Sequence, residues 1–259
     1  MDLAFSADAG SVKNANAAIE VESLTKCFRD VIAVDHLSFV LARGSVTGLL
    51  GGNGAGKSTT IGMIMGLILP TSGRVRVLGA DMSRERHRVL GRMNFESPYV
   101  DMPHRLSVRQ NLEVFGRLYG VVEIDARIAA LARDLALEDL LDRPSGQLSA
   151  GQKTRAALAK ALINEPEVLL LDEPTASLDP DTADWVRSHI EDYRGARRAT
   201  ILLASHNMRE VERLCDRVIM LRQGRIIDDG SPEDLLARFG RDNLEDVFLD
   251  LARGRRQAQ

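Results

Sequence analysis

The sequence predicts an α/β fold built on a mostly parallel sheet, with a helical insertion set into it. Short strand-like apolar runs alternate with helically spaced ones along most of the chain. One of them, inside "PEVLLLDEP", is continuously apolar, the pattern of a strand buried on both faces of a parallel sheet, and Val46 to Leu50 reads as a second buried strand. From about 105 to 142 the strand pattern gives way to apolar residues three and four apart.

Residues 1–18 are small and polar and read as a loose arm. From Ile19, "IEVESLTKCF" alternates like a strand. "HLSFVLARGSVTGLL" gives a strand, a turn at Arg43-Gly44 and the buried strand Val46 to Leu50, and "SGRVRVLG" a short strand after the Pro70–Gly73 turn. The basic run Ser83 to Arg92 reads as a solvated helix face rather than an acidic-lipid contact. The stretch from about 97 to 147 reads as the helical insertion. A breaker, Pro144-Ser145-Gly146, precedes a helix from Ser149 to Asn164. The "PEVLLLDEP" strand leads to a helix from Pro180 to Tyr193, a strand from Thr200 to Ala204, a helix from Met208 to Cys215 and a hairpin in "RVIMLRQGRIIDDG". From Pro232 the chain is helical and charged, ending in "RGRRQAQ", which reads as a frayed tail. Trp185 and Cys215 read as packing residues.

A chain of 259 residues can bury a substantial core as one large domain or two small ones. Hydrophobic residues make up 44% and charged residues 27%, which excludes a disordered or collagen-like polymer. A net charge of −3 gives no global electrostatic case for binding nucleic acid or anionic lipid. Aromatic residues are not interleaved with basic ones as a single-strand groove would require. Cys27 and Cys215 are too few for a disulfide framework and suit a reducing compartment. No apolar run approaches the roughly 20 residues needed to cross a bilayer. The N-terminus, with Asp2 and Asp8 and no apolar stretch, does not read as a signal peptide.

The most informative segment is "GLLGGNGAGKSTTIGMIMG". Gly51 and Gly56-Lys57-Ser58 fit the phosphate-loop spacing, with an apolar strand before and a helix after. Glycines let the backbone curl so that several N–H groups point at one phosphate, and the following helix adds its positive end. Lys57 is placed to reach the β- and γ-phosphates, and the Ser58 hydroxyl to ligate Mg²⁺. At the end of the "VLLLDEP" strand, Asp172 can hold Mg²⁺ through water and Glu173 can orient or deprotonate an attacking water. Leu148-Ser149-Ala150-Gly151-Gln152 opens a helix with a hydroxyl and an unhindered N–H; alone, this is an ordinary serine cap. Its place between the phosphate loop and Asp172-Glu173, with Ser205-His206 after them, makes an ordered series.

With that series the chain closely resembles the ATP-binding subunit of an ABC transporter, from about Ile19 to the tail. The resemblance implies a P-loop, RecA-like core with a mostly parallel sheet, a small antiparallel β subdomain and a helical insertion. It divides the chain into an arm (1–18), an ATPase domain (19–230) with a helical subdomain at about 97–160, and a C-terminal helical extension (231–259). Gly51, Gly52, Asn53, Gly54, Ala55, Gly56, Lys57, Ser58 and Thr59 match the Walker A loop, and Leu148 to Gln152 the signature motif. Asp172 and Glu173 match Walker B and the catalytic glutamate, Ser177-Leu178-Asp179 the D-loop, and His206 the switch histidine contacting the γ-phosphate. Phe28 falls where an aromatic residue stacks on adenine. The implied cofactors are ATP and Mg²⁺. In this family two such domains sandwich two ATPs head to tail, each signature serine facing the other chain's γ-phosphate. Two ATPase subunits, identical or different, thus work with integral membrane permeases, peripherally on the cytoplasmic face of a bacterial inner membrane. The tail and the "VRQNLEVFGRLYGV" stretch resemble the exporters of drugs, lipids or polysaccharides.

Three positions depart from the family pattern. Gly52 replaces a proline and Ala150 a glycine; both leave the local backbone workable. A glutamine that contacts Mg²⁺ and couples to the permease is missing from "RMNFESPYVDMPHRLSV"; Glu96 or Ser97 stands nearest, and Glu96 is the candidate metal contact. A soluble ABC-type ATPase acting on ribosomes or DNA is the competing class. Translation-factor types carry two ATPase units per chain, and chromosome types insert a long coiled coil where only 91 residues separate Ser58 from Ser149 here. A binding-only module is disfavoured by the presence of Asp172, Glu173 and His206.

Overall fold

A computed structural model describes residues 16–98, 100–176 and 178–252. Most of the expected arm, Ser177 and the "RGRRQAQ" tail lie outside the described residues. Among the described residues ten strands run in order: β1 (Ala17–Phe28), β2 (Val31–Ala42), β3 (Val46–Leu50), β4 (Ser72–Val77), β5 (Ala80–Asp81), β6 (Met93–Glu96), β7 (Val168–Asp172), β8 (Thr200–Ser205), β9 (Arg217–Arg222) and β10 (Arg225–Gly230). The α-helices among the described residues are α1 (Lys57–Ile64), α2 (Val108–Leu118), α3 (Ile124–Asp134), α4 (Ala150–Leu162), α5 (Pro180–Arg197), α6 (Met208–Leu214), α7 (Pro232–Phe239) and α8 (Leu244–Ala252).

The strands form two sheets. A four-stranded antiparallel sheet has the order β2-β1-β4-β5. A six-stranded sheet has the order β10-β9-β3-β8-β7-β6, parallel from β9 to β6 with β10 antiparallel at its edge. The fully buried sequences of β3, β7 and β8 suit the centre of such a sheet, since helices and a second sheet cover both faces. In β2 the burial alternates, the mark of a strand with one face on the core and one in water.

Alternation along the central strands sorts their side chains into two cores. Leu50, Leu169, Leu171, Ile201, Leu203 and Met220 face the helical insertion and α5–α8. Leu49, Leu170, Leu202, Ala204, Ile219 and Leu221 face α1 and the antiparallel sheet. One sheet therefore serves as the shared wall between the insertion and the β subdomain.

Helix starts follow local chemistry. Ser107 and Ser149 each close a capping box, with Gln110 and Gln152 three residues on. Asp179 and Ser231 cap α5 and α7, each followed by a proline in the first turn. Cys215 is buried; its thiol, pushed above its ordinary range by that burial, lies against Gly48, where a β-carbon would approach Cys215 Sγ to 3.0 Å.

Two expectations need correction. β1 begins at Ala17, so Ala17 and Ala18 belong to the sheet rather than to an arm. The basic run Ser83 to Arg92 is not a helix face. It forms two short 3₁₀ turns, Arg86–Arg88 and Leu90–Arg92, because its arginines are drawn to separate partners. Arg86 donates to the Gly66 carbonyl at 2.8 Å, Arg88 pairs with Glu85 at 2.8 Å, and Arg92 pairs with Glu167.

Truncating a fully buried central side chain tests this account of the core. Leu203→Ala should lower the unfolding free energy by about 2–5 kcal/mol, read as a shift in urea midpoint at constant slope.

Candidate functional site

The parallel register brings three strand ends to one level. Leu50 of β3 sits opposite Ser205 of β8, and Asp172 of β7 opposite Ala204 of β8. The segments leaving these ends are the glycine loop, the Asp172-Glu173 pair and Ser205-His206. In an open α/β sheet the carboxyl ends of the strands are where ligands bind.

The loop from Gly51 to Gly56 enters α1 without a side-chain cap, leaving the first amides of that helix available to an anion. Gly54 and Gly56 have φ of +76° and +101°, a conformation that favours glycine. A β-carbon on Gly56 would lie 2.5 Å from the Ala33 carbonyl oxygen, so the β2 backbone closes one side of the loop. At Gly52 and Gly54 it would meet nothing within 4 Å, so the other side is open. The Gly52 departure therefore costs the loop no contact. Asn53 is exposed, Ala55 buried, and Thr59 half-buried in the first turn of α1. The cradle fits phosphate: a concave run of backbone with a cation at its base. Lys57 is buried, and its Nζ donates to the Gly51 carbonyl at 2.6 Å and lies 3.9 Å from Glu173 Oε1.

Ser58 Oγ donates to Asp172 Oδ2 at 3.0 Å, which sets a hydroxyl and a carboxylate from different elements side by side. Burial pushes the Asp172 carboxyl above its ordinary range, and the Ser58 hydrogen bond opposes this. Such an oxygen pair fits Mg²⁺, which keeps several waters and takes few protein ligands. Next to it, Glu173 Oε2 lies 2.6 Å from His206 Nδ1 and accepts from the His206 backbone N–H at 3.3 Å. The His206 side chain is 68% exposed, against 11% for Glu173. Glu173 itself has φ of +57°, a left-handed turn immediately after the strand.

Phe28 stands at the end of β1 paired with Val31, on the hairpin whose Ala33 closes the loop. Its ring is 46% exposed and carries Lys26 Nζ 4.9 Å above its centre.

Ser149, Gly151 and Gln152 belong to a second cluster. Ser149 caps α4, and its Oγ accepts from the Gln152 N–H while Gln152 Oε1 accepts from the Ser149 N–H. A β-carbon at Gly151 would come 3.3 Å from Thr182 Oγ1, so this helix start abuts the start of α5. There Asp179 accepts from the Thr182 N–H at 3.0 Å and its hydroxyl at 2.7 Å, bonds that hold its carboxyl below the usual range. Among the described residues no hydrogen bond or ion pair joins this cluster to the phosphate loop.

Glu96, the candidate metal contact, is met in this structure by a buried cation. At the end of β6 it is buried, with Oε2 2.9 Å from Lys160 Nζ on α4. Lys160, buried as well, also lies 5.7 Å from the Phe115 ring centre on α2. Burial raises the Glu96 carboxyl while Lys160 and the Ser97 N–H pull it down. The carboxylate is taken up in tying the sheet to the insertion. The motifs did not expose this pair because Lys160 reads as an ordinary polar-face position of its helix.

The fold and the site define a P-loop nucleoside-triphosphatase. The family model for ABC transporters matches residues 34–176. The chain is 38% identical over 232 residues to the Nod factor export ATP-binding protein I of Paraburkholderia xenovorans, covering 88% of this chain and 76% of that protein. It is 36% identical over 236 residues to the probable multidrug ABC transporter ATP-binding protein YbhF of Escherichia coli, covering 90% of this chain and 40% of that protein. A solved ATP-binding subunit of an ABC transporter superposes with a TM-score of 0.83 at 28% identity, covering 91% of this chain and 99% of that one. The chain belongs to the ABC transporter family as an ATP-binding subunit homologous to its exporter ATPases, and it is an ATPase. Among the described residues no helix is long and apolar enough to cross a membrane.

Removing one partner of the buried ion pair tests its role. Lys160→Met should cost about 3–5 kcal/mol in urea unfolding by stranding the Glu96 carboxylate. Adding Glu96→Leu should recover most of that loss; a double variant as unstable as the single would contradict the pairing.

Proposed function

We propose that this chain powers export through separate integral membrane subunits, with two ATPase subunits closing head to tail around two ATPs. The observation that carries the reading is the meeting of Lys57, the Ser58–Asp172 pair and the Glu173–His206 pair at the carboxyl ends of three adjacent strands.

In this reading Phe28 stacks on the adenine. The N–H groups from Gly52 to Thr59 line the phosphates, and Lys57 exchanges the Gly51 carbonyl for the β- and γ-phosphate oxygens. Ser58 directly, and Asp172 through water, would hold Mg²⁺, which neutralises phosphate charge when bound. Glu173 accepts a hydrogen bond from the attacking water and orients it toward the γ-phosphate. His206, in contact with Glu173 and exposed, is set to touch the γ-phosphate. The opposite face of that phosphate is left to Ser149, Gly151 and Gln152 of a second subunit, with Asp179 nearby. Their seclusion from the phosphate loop within one chain supports that division. Glu96 is given no part in metal binding.

ATP binding then closes the pair, and hydrolysis and product release open it. Relatives named for Nod factor export and multidrug transport support export over uptake. The subunit would sit at the cytoplasmic face of a bacterial inner membrane, held there by its permease partners. A soluble ABC-type ATPase working on ribosomes or DNA is the reading this displaces.

Glu173→Gln separates the possibilities. The variant should bind ATP like the unaltered chain while turnover falls by about 10²–10⁴-fold, the usual worth of a general base. Tagged and recovered from detergent-solubilised membranes with ATP and Mg²⁺, it should carry a stoichiometric multi-spanning protein. Recovery only from the soluble fraction, alone or with ribosomes, would sink the transport reading.

A further inference from the structure

Behind the Glu173–His206 pair lies a buried polar cluster to which hydrolysis gives no direct part. Glu210, in the first turn of α6, is fully buried. Its Oε1 accepts from Thr175 Oγ1 at 2.8 Å and its Oε2 from Ser205 Oγ at 2.7 Å, and both hydroxyls are themselves buried. Thr175 stands two residues after Glu173, and Ser205 immediately before His206. Ser205 Oγ also accepts from the Asn207 N–H at 3.0 Å, so the backbone on the far side of His206 joins the same cluster.

The placement is an expensive one. A buried carboxylate must be desolvated, and apolar residues of similar volume commonly serve stability as well or better. Burial pushes the Glu210 carboxyl upward, and the two hydroxyls with Arg187 of α5 pull it back. What the carboxylate supplies, and an apolar side chain could not, is a fixed two-point bridge between the loop after β7 and the end of β8. These are the two segments whose side chains must meet at 2.6 Å for Glu173 to touch His206. Glu173 also needs support of this kind, since a left-handed non-glycine residue holds its conformation only where its surroundings over-determine it.

We propose that Glu210 is a positioning residue for hydrolysis: by joining Thr175 to Ser205, its carboxylate sets the spacing and orientation of Glu173 and His206. The proposal rests on the assignment of hydrolysis to that pair. It distinguishes the rate of the chemical step, which depends on the pair, from nucleotide affinity, which depends on the loop and Phe28.

The test is ATP turnover by the full chain, with kcat and KM measured separately and folding followed by thermal melting. Glu210→Ala should lower kcat by about 10²-fold, the scale of a displacement near 1 Å, while KM for ATP holds. Glu210→Gln, which can accept from one hydroxyl and donate to the other, should restore most of the rate. Thr175→Val and Ser205→Ala cover the case in which Glu210→Ala does not fold. If the bridge acts as one unit, the double variant is no slower than the slower single. An unchanged kcat in folded Glu210→Ala, a KM that moves with kcat, a Gln variant as slow as the Ala variant, or additive losses in the two hydroxyl variants would each overturn the proposal. Glu173→Gln is run alongside. If it turns over like the unaltered chain, the assignment to the pair fails and the bridge with it; if it is inactive while Glu210→Ala turns over like the unaltered chain, the bridge alone fails.

Discussion

The register of three parallel strands is the constraint on which the rest of this molecule depends. Apart from Thr47 in β3, the strands β3, β8 and β7 carry no polar side chain between their ends. Close packing on both faces holds the register, because a slip of one residue would exchange the side chains of two cores that are each packed to a particular shape. Leu50 is thereby held opposite Ser205, and Asp172 opposite Ala204. The loop, the acidic pair and the histidine come from positions up to about 150 residues apart in sequence, yet they begin from a common level. No contact among them is needed to bring them together; the sheet does that, and their contacts refine it.

The charges in the site follow from this placement. Lys57, Asp172 and Glu173 are nearly withdrawn from water, where unpaired charges are costly. Their nearest partners are modest: a carbonyl for Lys57, a serine hydroxyl for Asp172 and an exposed histidine for Glu173, with Lys57 and Glu173 3.9 Å apart. These contacts keep the groups satisfied without locking them. A polyanion with its metal offers stronger partners to each of them, so binding it exchanges weak internal pairs for charge-assisted ones.

Much of this was legible in the sequence, and the legible part has a common cause. The glycine loop, Asp172-Glu173, the Ser149 cap and the three central strands are defined by residues within a few positions of one another, where backbone geometry and periodicity act directly. What the sequence hid depends on distant pairing. The Glu96–Lys160 ion pair joins residues 64 positions apart, and nothing near either one marks it as buried. Arg86, Arg88 and Arg92 look like one basic face until the turn at Gly66, Glu85 and Glu167 draw them apart. Thr175, Ser205 and Glu210 are ordinary polar residues beside motifs, and only the crossing of β8 with α6 shows that they meet. A carboxylate one helical turn beyond His206 is the sole local hint.

Glu173 shows how local strain and tertiary support are matched. A left-handed non-glycine backbone costs on the order of 1–3 kcal/mol when it is held at a functional site. It falls on the residue immediately after the last residue of β7, Asp172. Two backbone bonds stabilise the turn, from the Glu173 N–H to the Ala204 carbonyl at 2.8 Å and from the Ala176 N–H to the Glu173 carbonyl at 3.0 Å. The first ties the turn to β8, the strand that also delivers His206. A displacement of β8 therefore carries both partners of the pair with it, so the spacing between Glu173 and His206 is less sensitive to motion of the sheet than either residue's position is.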